Sequence, residues 1–166
     1  MTRTYRVTRG VRVINQLAQA LIRLGLGPQS RYLLTVSGRK TGQPYTTPHG
    51  LALFSRGGLA LFRRGLTRTI VEHNHTRWLV APYGEVNWVR NARAAGRVTL
   101  RRGRRVESVS VIEVEPQARA PILQKYLRLE PVTQPYFEAR PESPLDAFAA
   151  EAMRHPVFRI QEQAGV

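Results

Sequence analysis

Apolar residues recur at helical spacing near the N-terminus of this chain. Between Ile14 and Ile22 they fall three or four positions apart, which places them along one face of a helix. Gly25 and the pair Gly27-Pro28 follow directly, and such residues are typical of a helix end. The pattern predicts an amphipathic helix that either packs on the core or lies on a membrane surface, which its basic flanks favour.

The remainder alternates short apolar runs with turn residues, a pattern typical of antiparallel strands. Residues 63–77 are polar and basic and give no clear pattern. A phase slip in the apolar positions between 109 and 114 predicts a β-bulge. The predicted strands cover residues 32–36, 45–54, 59–62, 78–81, 98–100, 106–114 and 157–160.

Three short helices are predicted among these strands, over residues 87–95, 116–129 and 145–155. Together these strands and helices predict a mainly β (α+β) fold, in which antiparallel strands form a small barrel with peripheral helices. We expect a single domain over residues 29–166, preceded by a basic lead-in and amphipathic helix over residues 1–28.

The amino-acid composition limits the kinds of functional site that this chain can contain. The chain has 166 residues, 42% of them hydrophobic, which is enough to form the hydrophobic core of one domain. It contains no cysteine and only four histidines, so disulfides and thiolate sites are excluded and no metal site is predicted. No apolar run approaches the ~20 residues of a membrane span. We expect a soluble, cytoplasmic protein, with membrane association through residues 1–24 as an alternative.

Charge is distributed unevenly along the chain. The net charge is +15, and residues 1–71 hold twelve Lys and Arg but no Asp or Glu. Residues 106–166 reverse the balance, with six basic and nine acidic residues. Codon bias explains the preference for Arg over Lys, but it does not explain the absence of Asp and Glu before Glu72. The first part of the chain therefore predicts a positive field suited to an anionic ligand, nucleic acid or anionic lipid.

A basic turn joins two of the predicted strands. In the segment Gly38-Arg39-Lys40-Thr41-Gly42, two cations and a hydroxyl stand between two glycines. Glycines let backbone N–H groups approach a ligand closely, and Arg and Lys are suited to phosphate. The segment predicts an anion-binding turn, although a plain solvated hairpin is the alternative. Neither a Walker loop nor a Rossmann GxGxxG motif occurs.

A second cluster follows the predicted strand 78–81. Ala81-Pro82-Tyr83-Gly84 leads into the predicted helix that carries Asn87, Trp88 and Asn91. Backbone amides at a helix N-terminus can face the carbonyl edge of a planar heterocycle, and Tyr83 or Trp88 could contact its face. The alternative places Trp88 in the core and makes Asn87 a helix cap.

These segments together resemble the deazaflavin (coenzyme F-420)-dependent nitroreductase family of split β-barrel oxidoreductases. The resemblance covers roughly residues 30–160. It rests on the segments Tyr32 to Pro48, Asn87 to Ala94, Gly96 to Leu100 and His155 to Phe158.

The resemblance implies an FMN-binding-barrel-like fold and coenzyme F-420 (8-hydroxy-5-deazaflavin) as cofactor, with FMN as the alternative. It implies hydride transfer to an electron-poor small-molecule acceptor such as a quinone, enone or nitro compound. Tyr83 and Tyr126 are candidate proton donors, and Tyr136 and Phe137 are candidates for the substrate side. The implied cofactor-binding residues are Gly38, Arg39, Lys40, Thr41, Gly42, Tyr45, Thr46, Thr47, Pro48, Ala81, Pro82, Tyr83, Gly84, Asn87, Trp88 and Asn91.

Other functions stay open on the sequence alone. The same architecture could serve an FMN- or haem-binding split barrel. A basic nucleic-acid-binding module would also carry this charge, but no helix-turn-helix, zinc-finger or RNP-like signature supports it. Split barrels often pair, so a homodimer is a further expectation.

Overall fold

The computed structural model describes residues 20, 23–25, 31–46 and 68–161. Seven strands and three helices lie within these ranges. The strands are β1 (Arg31–Ser37), β2 (Pro44–Thr46), β3 (Arg68–His73), β4 (Thr76–Val80), β5 (Arg97–Arg102), β6 (Arg105–Glu113) and β7 (Val157–Gln161). The helices are α1 (Asn87–Ala95), α2 (Ala120–Leu129) and α3 (Leu145–Glu151), with short 3-10 turns at Pro116–Ala118, Pro131–Tyr136 and Ala152–Arg154.

All seven strands belong to one antiparallel sheet in the order β2-β1-β3-β4-β7-β6-β5. β1 also pairs with β5, through Leu33, Leu34 and Thr35, so the strand at one end of this order meets the strand next to the other end. The pairing of β1 with β3 spans only two residues. The sheet is therefore strongly coiled and split-barrel-like, and the predicted mainly β fold with peripheral helices is confirmed.

Alternate residues of the central strands enter two different cores. Ile70, Leu79 and Phe158 face the inside of the coiled sheet, where Trp88 and Val89 of α1 join them. Their neighbours Val71 and Val80 face outward and are covered by α2 and α3. Burial on both faces stabilises these strands more than a half-exposed sheet would. The layer of helices also fixes the loops at one end of the sheet.

The helices predicted over residues 116–129 and 145–155 are shorter in the structure, because 3-10 turns take their first and last residues respectively. Two details of the strands also differ from the sequence-based expectations. Residues 63–77, for which no element was predicted, contain β3 and the start of β4. The two strands are joined at Asn74 and His75, which both have positive φ. Such a two-residue turn matches the twist of a hairpin. The predicted β-bulge is wrong, because β6 keeps a continuous register with β5 and β7, and Ile112 is simply exposed.

The predicted helix over residues 14–22 lies almost wholly outside the described residues, as do the strand 59–62 and the predicted strand 45–54 beyond Thr46. The remaining strands and the helix 87–95 occur where they were predicted. Within the described part of the chain, no helix has the length and apolar character needed to cross a bilayer.

Candidate functional site

The basic turn is a closed loop between β1 and β2. The N–H of Gly38 donates to the Gln43 carbonyl at 2.8 Å, and the N–H of Gly42 donates to the Gly38 carbonyl at 2.8 Å. Gly42 has a φ of 67°, a conformation that other L-residues rarely adopt. The loop is thus held by its own backbone and leaves the Arg39 and Lys40 side chains exposed.

Helix α1 contacts this turn through a buried amide. The guanidinium Nη1 of Arg39 donates to Oδ1 of Asn91 at 3.0 Å, and the backbone N–H of Arg39 lies 3.4 Å from the same oxygen. Asn91 is only 6% exposed. The two segments that the sequence singled out separately are therefore joined at one point.

The charge of this turn is not neutralised within the described residues. Arg39 is held by a neutral amide, and neither Arg39 nor Lys40 makes an ion pair with an acid in the described ranges. An amide oxygen orients a guanidinium without cancelling its charge. The turn thus keeps two cations available to an anion.

The opposite side of α1 is anchored by ion pairs. Arg93 donates to Glu85 and to Glu113, and Arg119 donates to Glu113 at 3.1 Å. The two carboxylates raise the pKa of Arg93 further, while burial lowers the pKa of Arg119. These contacts compensate the charges on this side of α1. They fix the helix relative to β6, so that Asn91 stays in place against the turn.

A turn at residues 81–84 carries the second part of the site. The N–H of Ala81 donates to the Pro156 carbonyl at 2.8 Å, which fixes the turn to the segment before β7. Tyr83 is half-buried, and its ring meets that of Tyr136 edge-to-face, with centroids 4.5 Å apart. The structure therefore brings a candidate proton donor next to a candidate substrate contact.

A buried acid–histidine pair lies behind these two rings. Glu151 accepts hydrogen bonds from the backbone N–H groups of Glu138 and Ala139, both at 2.9 Å. His155 Nε2 lies 3.5 Å from Glu151 Oε2, and its ring stacks on Phe137 at 4.0 Å. Burial lowers the pKa of His155, and Glu151 partly opposes this.

Sequence reasoning did not assign a role to this pair. His155 entered only as part of the family signature, and Glu151 was not considered. The available signal is their spacing of four residues within a segment predicted to be helical, because side chains at that spacing meet on one face of a helix.

The remaining candidates divide into surface and core residues. Tyr45 is 53% exposed, and Thr46 Oγ1 lies 3.1 Å from Thr35 Oγ1 across β1 and β2. Asn87 is exposed at the first position of α1, where Val86 is the helix cap. Thr47 and Pro48 lie outside the described residues. The buried candidates are Ala81, Pro82, Trp88, Tyr126 and Phe137.

Burial gives these residues a packing role. Trp88 is 1% exposed and packs against Phe158, with ring centroids 5.6 Å apart. Tyr126 is 6% exposed and lies in the outer core with Phe137. In this arrangement Trp88 and Phe137 support α1 and the loop after Tyr136 from behind, and they offer no open ring face to a ligand.

The turn between β1 and β2 fits a phosphate group. A Cβ at Gly38 would lie 3.0 Å from Thr41 Oγ1 and 3.3 Å from the Gln43 carbonyl oxygen, so a side chain there would crowd the loop. The loop presents an uncompensated guanidinium and an ammonium, which are phosphate ligands. Elsewhere in the described ranges, no group of three His, Asp or Glu side chains could hold a metal ion.

Comparison with known proteins yields similarities to solved structures only. No protein-family model and no curated protein matches the chain significantly. A structure described as a domain-swapped dimer has a TM-score of 0.51 at 18% identity, covering 93% of this chain and 100% of the other. The protein Atu2129 of Agrobacterium tumefaciens, described as of unknown function, has a TM-score of 0.51 at 13% identity, covering 96% and 58%.

A third similar structure is that of an F420-H2 dependent reductase (FDR-A). Its TM-score is 0.48 at 20% identity, covering 80% of this chain and 95% of the other. At these identities a structural similarity concerns the fold. The two structures with a TM-score of 0.51 show that this chain shares its fold with solved proteins over more than nine-tenths of its length.

Proposed function

We propose that this protein is a deazaflavin-dependent oxidoreductase that binds coenzyme F-420 and reduces an electron-poor small molecule. One observation carries the proposal: the bond from Arg39 to Asn91 joins the two segments whose residues resemble the deazaflavin-dependent nitroreductase family. That contact places an uncompensated cationic turn against α1, and the exposed Asn87 and the half-buried Tyr83 lie at the N-terminal end of that helix.

The binding turn has a defined role in the proposal. Arg39 and Lys40 hold the cofactor's phosphate, and Gly38 and Gly42 allow the loop to close under it. Thr41, Thr46 and the exposed Tyr45 ring flank the same loop, and we extend the proposed site to Thr47 and Pro48. A basic N-terminal part of the chain attracts the long anionic cofactor by its field.

The ring side of the site uses residues at the start of α1. Tyr83, Gly84 and Asn87 border the heterocycle, while Ala81, Pro82 and Trp88 support them from the core. When bound, the reduced cofactor supplies a hydride in one two-electron step. The chain's own residues orient the two partners and exclude water, which is how proteins assist such cofactors.

The acceptor lies on the side where Tyr83 meets Tyr136. Tyr83 is half-buried and carries a hydroxyl, so we propose it as the group that passes a proton to the reduced product. Tyr126 is a second candidate, although its ring packs in the outer core. A quinone, an enone or a nitro compound has the electron-poor character that such a reaction needs.

A cofactor titration tests the proposal. The full chain is titrated with oxidised coenzyme F-420 and with FMN, and each cofactor's fluorescence is followed at several salt concentrations. Saturable binding of the deazaflavin alone is expected. Binding of FMN alone would retain the fold and replace the chemistry, and binding of neither would refute the proposal.

Variants localise the binding. Arg39→Ala and Lys40→Ala each remove a cation from the turn, and each is expected to weaken deazaflavin binding about tenfold or more. Arg104→Ala and Lys125→Ala remove exposed cations elsewhere and serve as matched controls. Equal affinities in all four variants would refute the assignment of the turn.

Two assembly properties are proposed beside the activity. We propose a peripheral membrane contact through residues 1–24, supported by the exposure of Arg23 and of Leu24, whose side chain is 72% exposed.

We also propose a homodimer, since one of the similar structures is described as a domain-swapped dimer. Light scattering of the purified chain measures its mass, and a monomer at all concentrations would refute the dimer.

A further inference from the structure

We infer that Glu151 and His155 are positioning residues that hold Tyr136 against Tyr83 and thereby set the width of the acceptor side of the site. The inference rests on the proposed function for its consequence, since an acceptor must bind there. Its structural part, that one buried pair fixes both loops, is independent of any cofactor.

Glu151 fixes the loop that follows Tyr136. Its side chain is 2% exposed, and its two carboxylate oxygens accept the N–H groups of two consecutive residues, Glu138 and Ala139. A buried carboxylate is costly unless it is fully hydrogen-bonded, so a glutamate at this position requires the loop to stay where it is. The loop starts two residues after Tyr136.

His155 connects this loop to the turn at residues 81–84. Its ring is stacked on Phe137 with an interplanar angle of 14°, and its Nε2 lies 3.5 Å from Glu151. The histidine ring therefore contacts Phe137, the residue after Tyr136, and lies beside Glu151. The residue that follows His155, Pro156, accepts the N–H of Ala81 at 2.8 Å.

The backbone beside His155 is equally close to the turn. A Cβ placed on Gly84 would lie 3.2 Å from the Arg154 carbonyl oxygen, and Ala81 donates its N–H to Pro156. Residues 154–156 thus run directly against 81–84. Tyr83 and Tyr136 lie on different loops, and Glu151 and His155 couple both of them to the same short segment.

An exposed ion pair closes the outer side of the same loop. Arg154 bonds Glu138 at 2.7 Å, but the two side chains are 47% and 69% exposed. Such a pair contributes little, because water screens both charges. The buried Glu151 and His155, rather than this surface bridge, therefore determine where the loop lies.

A matched control is available at the other end of the sheet. Arg77 and Glu107 form a part-buried ion pair at 2.9 Å, with side chains 13% and 15% exposed. Arg77 lies near the start of β4, whereas the 81–84 turn follows its end. A substitution of Glu107 therefore removes a sheltered charge pair without touching the loops of Tyr83 and Tyr136.

The experiment compares Glu151→Gln with Glu107→Gln in the full chain. Amide hydrogen exchange is measured at Glu138 and Ala139, together with the nuclear Overhauser contact between the Tyr83 and Tyr136 rings. In Glu151→Gln, exchange at Glu138 and Ala139 is expected to accelerate about tenfold or more and the ring contact to weaken. Glu107→Gln is expected to change neither, although it lowers stability.

Kinetics with reduced coenzyme F-420 and the quinone menadione give the functional readout. Glu151→Gln is expected to raise the KM for menadione by about fivefold or more while deazaflavin affinity stays within about twofold. His155→Asn is expected to act in the same direction. Glu151→Asp keeps the charge but shortens the side chain, so its KM is expected to lie between those of the unmodified chain and Glu151→Gln. If Glu151→Gln does not fold, the same measurements are made on Glu151→Asp.

The outcomes separate this inference from the proposed function. Unchanged exchange and ring contact in Glu151→Gln would overturn the inference whether or not a deazaflavin binds. An equal rise in KM in the Glu151 and Glu107 variants would also overturn it, since the effect would then be general destabilisation. Altered exchange and ring contact in a protein that binds no deazaflavin would support the positioning role and refute the proposed function alone.

Discussion

Arg39 and Asn91 meet across 52 residues of sequence, with Nη1 of the guanidinium 3.0 Å from the amide Oδ1. The choice of an amide matters physically. A carboxylate at the same distance would hold the arginine more strongly but would cancel its charge. The neutral partner orients the side chain and leaves its field directed at whatever binds on the turn.

The first prediction tests that distinction. Asn91→Asp keeps an acceptor beside Arg39 and adds a negative charge, so the affinity for coenzyme F-420 is expected to fall about tenfold or more, which equals about 1.4 kcal/mol. Fluorescence titration measures the change. Asn74→Asp makes the same substitution in the β3–β4 hairpin and is expected to leave the affinity unaltered. An unaltered affinity in Asn91→Asp would show that the anion binds elsewhere.

Gly42 gives a second prediction, about the loop itself. Its φ is 67°, and a Cβ there would meet nothing within 4 Å, so the cost of Gly42→Ala is purely conformational. We expect a loss of about 1 kcal/mol in the free energy of unfolding, because L-residues disfavour this region. Urea denaturation measures it. Gly42→Asn is the control and is expected to cost less, since asparagine tolerates positive φ; equal losses would contradict the explanation.

The sequence predicted the parts of this site better than their connection. The turn 38–42 and the helix 87–95 follow from local signals, namely glycines around cations and a glycine, Gly96, that ends the helix. Their contact depends on β1 pairing with β5, and long-range pairing is not encoded in any local pattern. β3 was missed because Thr69, Ile70 and Val71 stand within a basic segment, which hid a short run of β-branched residues.

Burial was the other quantity that the sequence could not supply. Trp88 and Phe137 look alike as candidates for ring contacts, since aromatic residues beside a turn suit both a pocket and a core. The structure places both in cores, because α1 directs Trp88 into the coiled sheet against Phe158 and Phe137 packs with the helices of the outer core. Tyr83 and Tyr136 remained partly exposed and came together, although no spacing rule links them.

Their contact gives a third prediction. The two rings are edge-to-face at 4.5 Å, and such a pair contributes about 0.5–1.5 kcal/mol beyond its buried area. A double-mutant cycle with Tyr83→Leu, Tyr136→Leu and the combined variant is expected to show coupling of that size in the free energy of unfolding. Additive losses would mean that the rings are neighbours without interaction. Tyr136→Leu with Tyr45→Leu, at an exposed tyrosine of β2, is the control pair and is expected to be closer to additive.

Protonation of His155 gives a fourth prediction. Burial lowers its pKa below the ordinary value of 6.5, so the unfolded chain binds this proton more readily than the folded chain. The contribution is present above the unfolded pKa and is lost as the pH falls from there through the folded pKa. Stability is therefore expected to decrease on acidification below about pH 6.5.

Neighbouring charges set how large that decrease is. Glu151 favours the protonated ring and Arg154 disfavours it, while the Pro82 carbonyl favours it. In His155→Asn the decrease on acidification is expected to be smaller, as measured by thermal unfolding between pH 7.5 and pH 5. His73→Asn, in the β3–β4 hairpin, is the control. Identical pH profiles for the His155 variant and the unmodified chain would contradict the assignment.

The N-terminal part of the chain gives the last prediction. Leu24 is 72% exposed beside Arg23, and Gly25 packs against Gly103 at the arginine-rich tip of the β5–β6 hairpin. An exposed apolar side chain flanked by cations is suited to an anionic bilayer surface. Phosphatidylcholine vesicles containing phosphatidylserine are expected to co-sediment the full chain, and the chain lacking residues 1–26 is expected to stay in solution. Leu24→Ser is expected to weaken sedimentation, whereas Leu145→Ser, at an exposed leucine of α3, is not.

Equal sedimentation of the full and the shortened chains would refute a membrane contact through this segment. Sedimentation that persists on pure phosphatidylcholine would show that the apolar side chain, rather than the charge, drives binding.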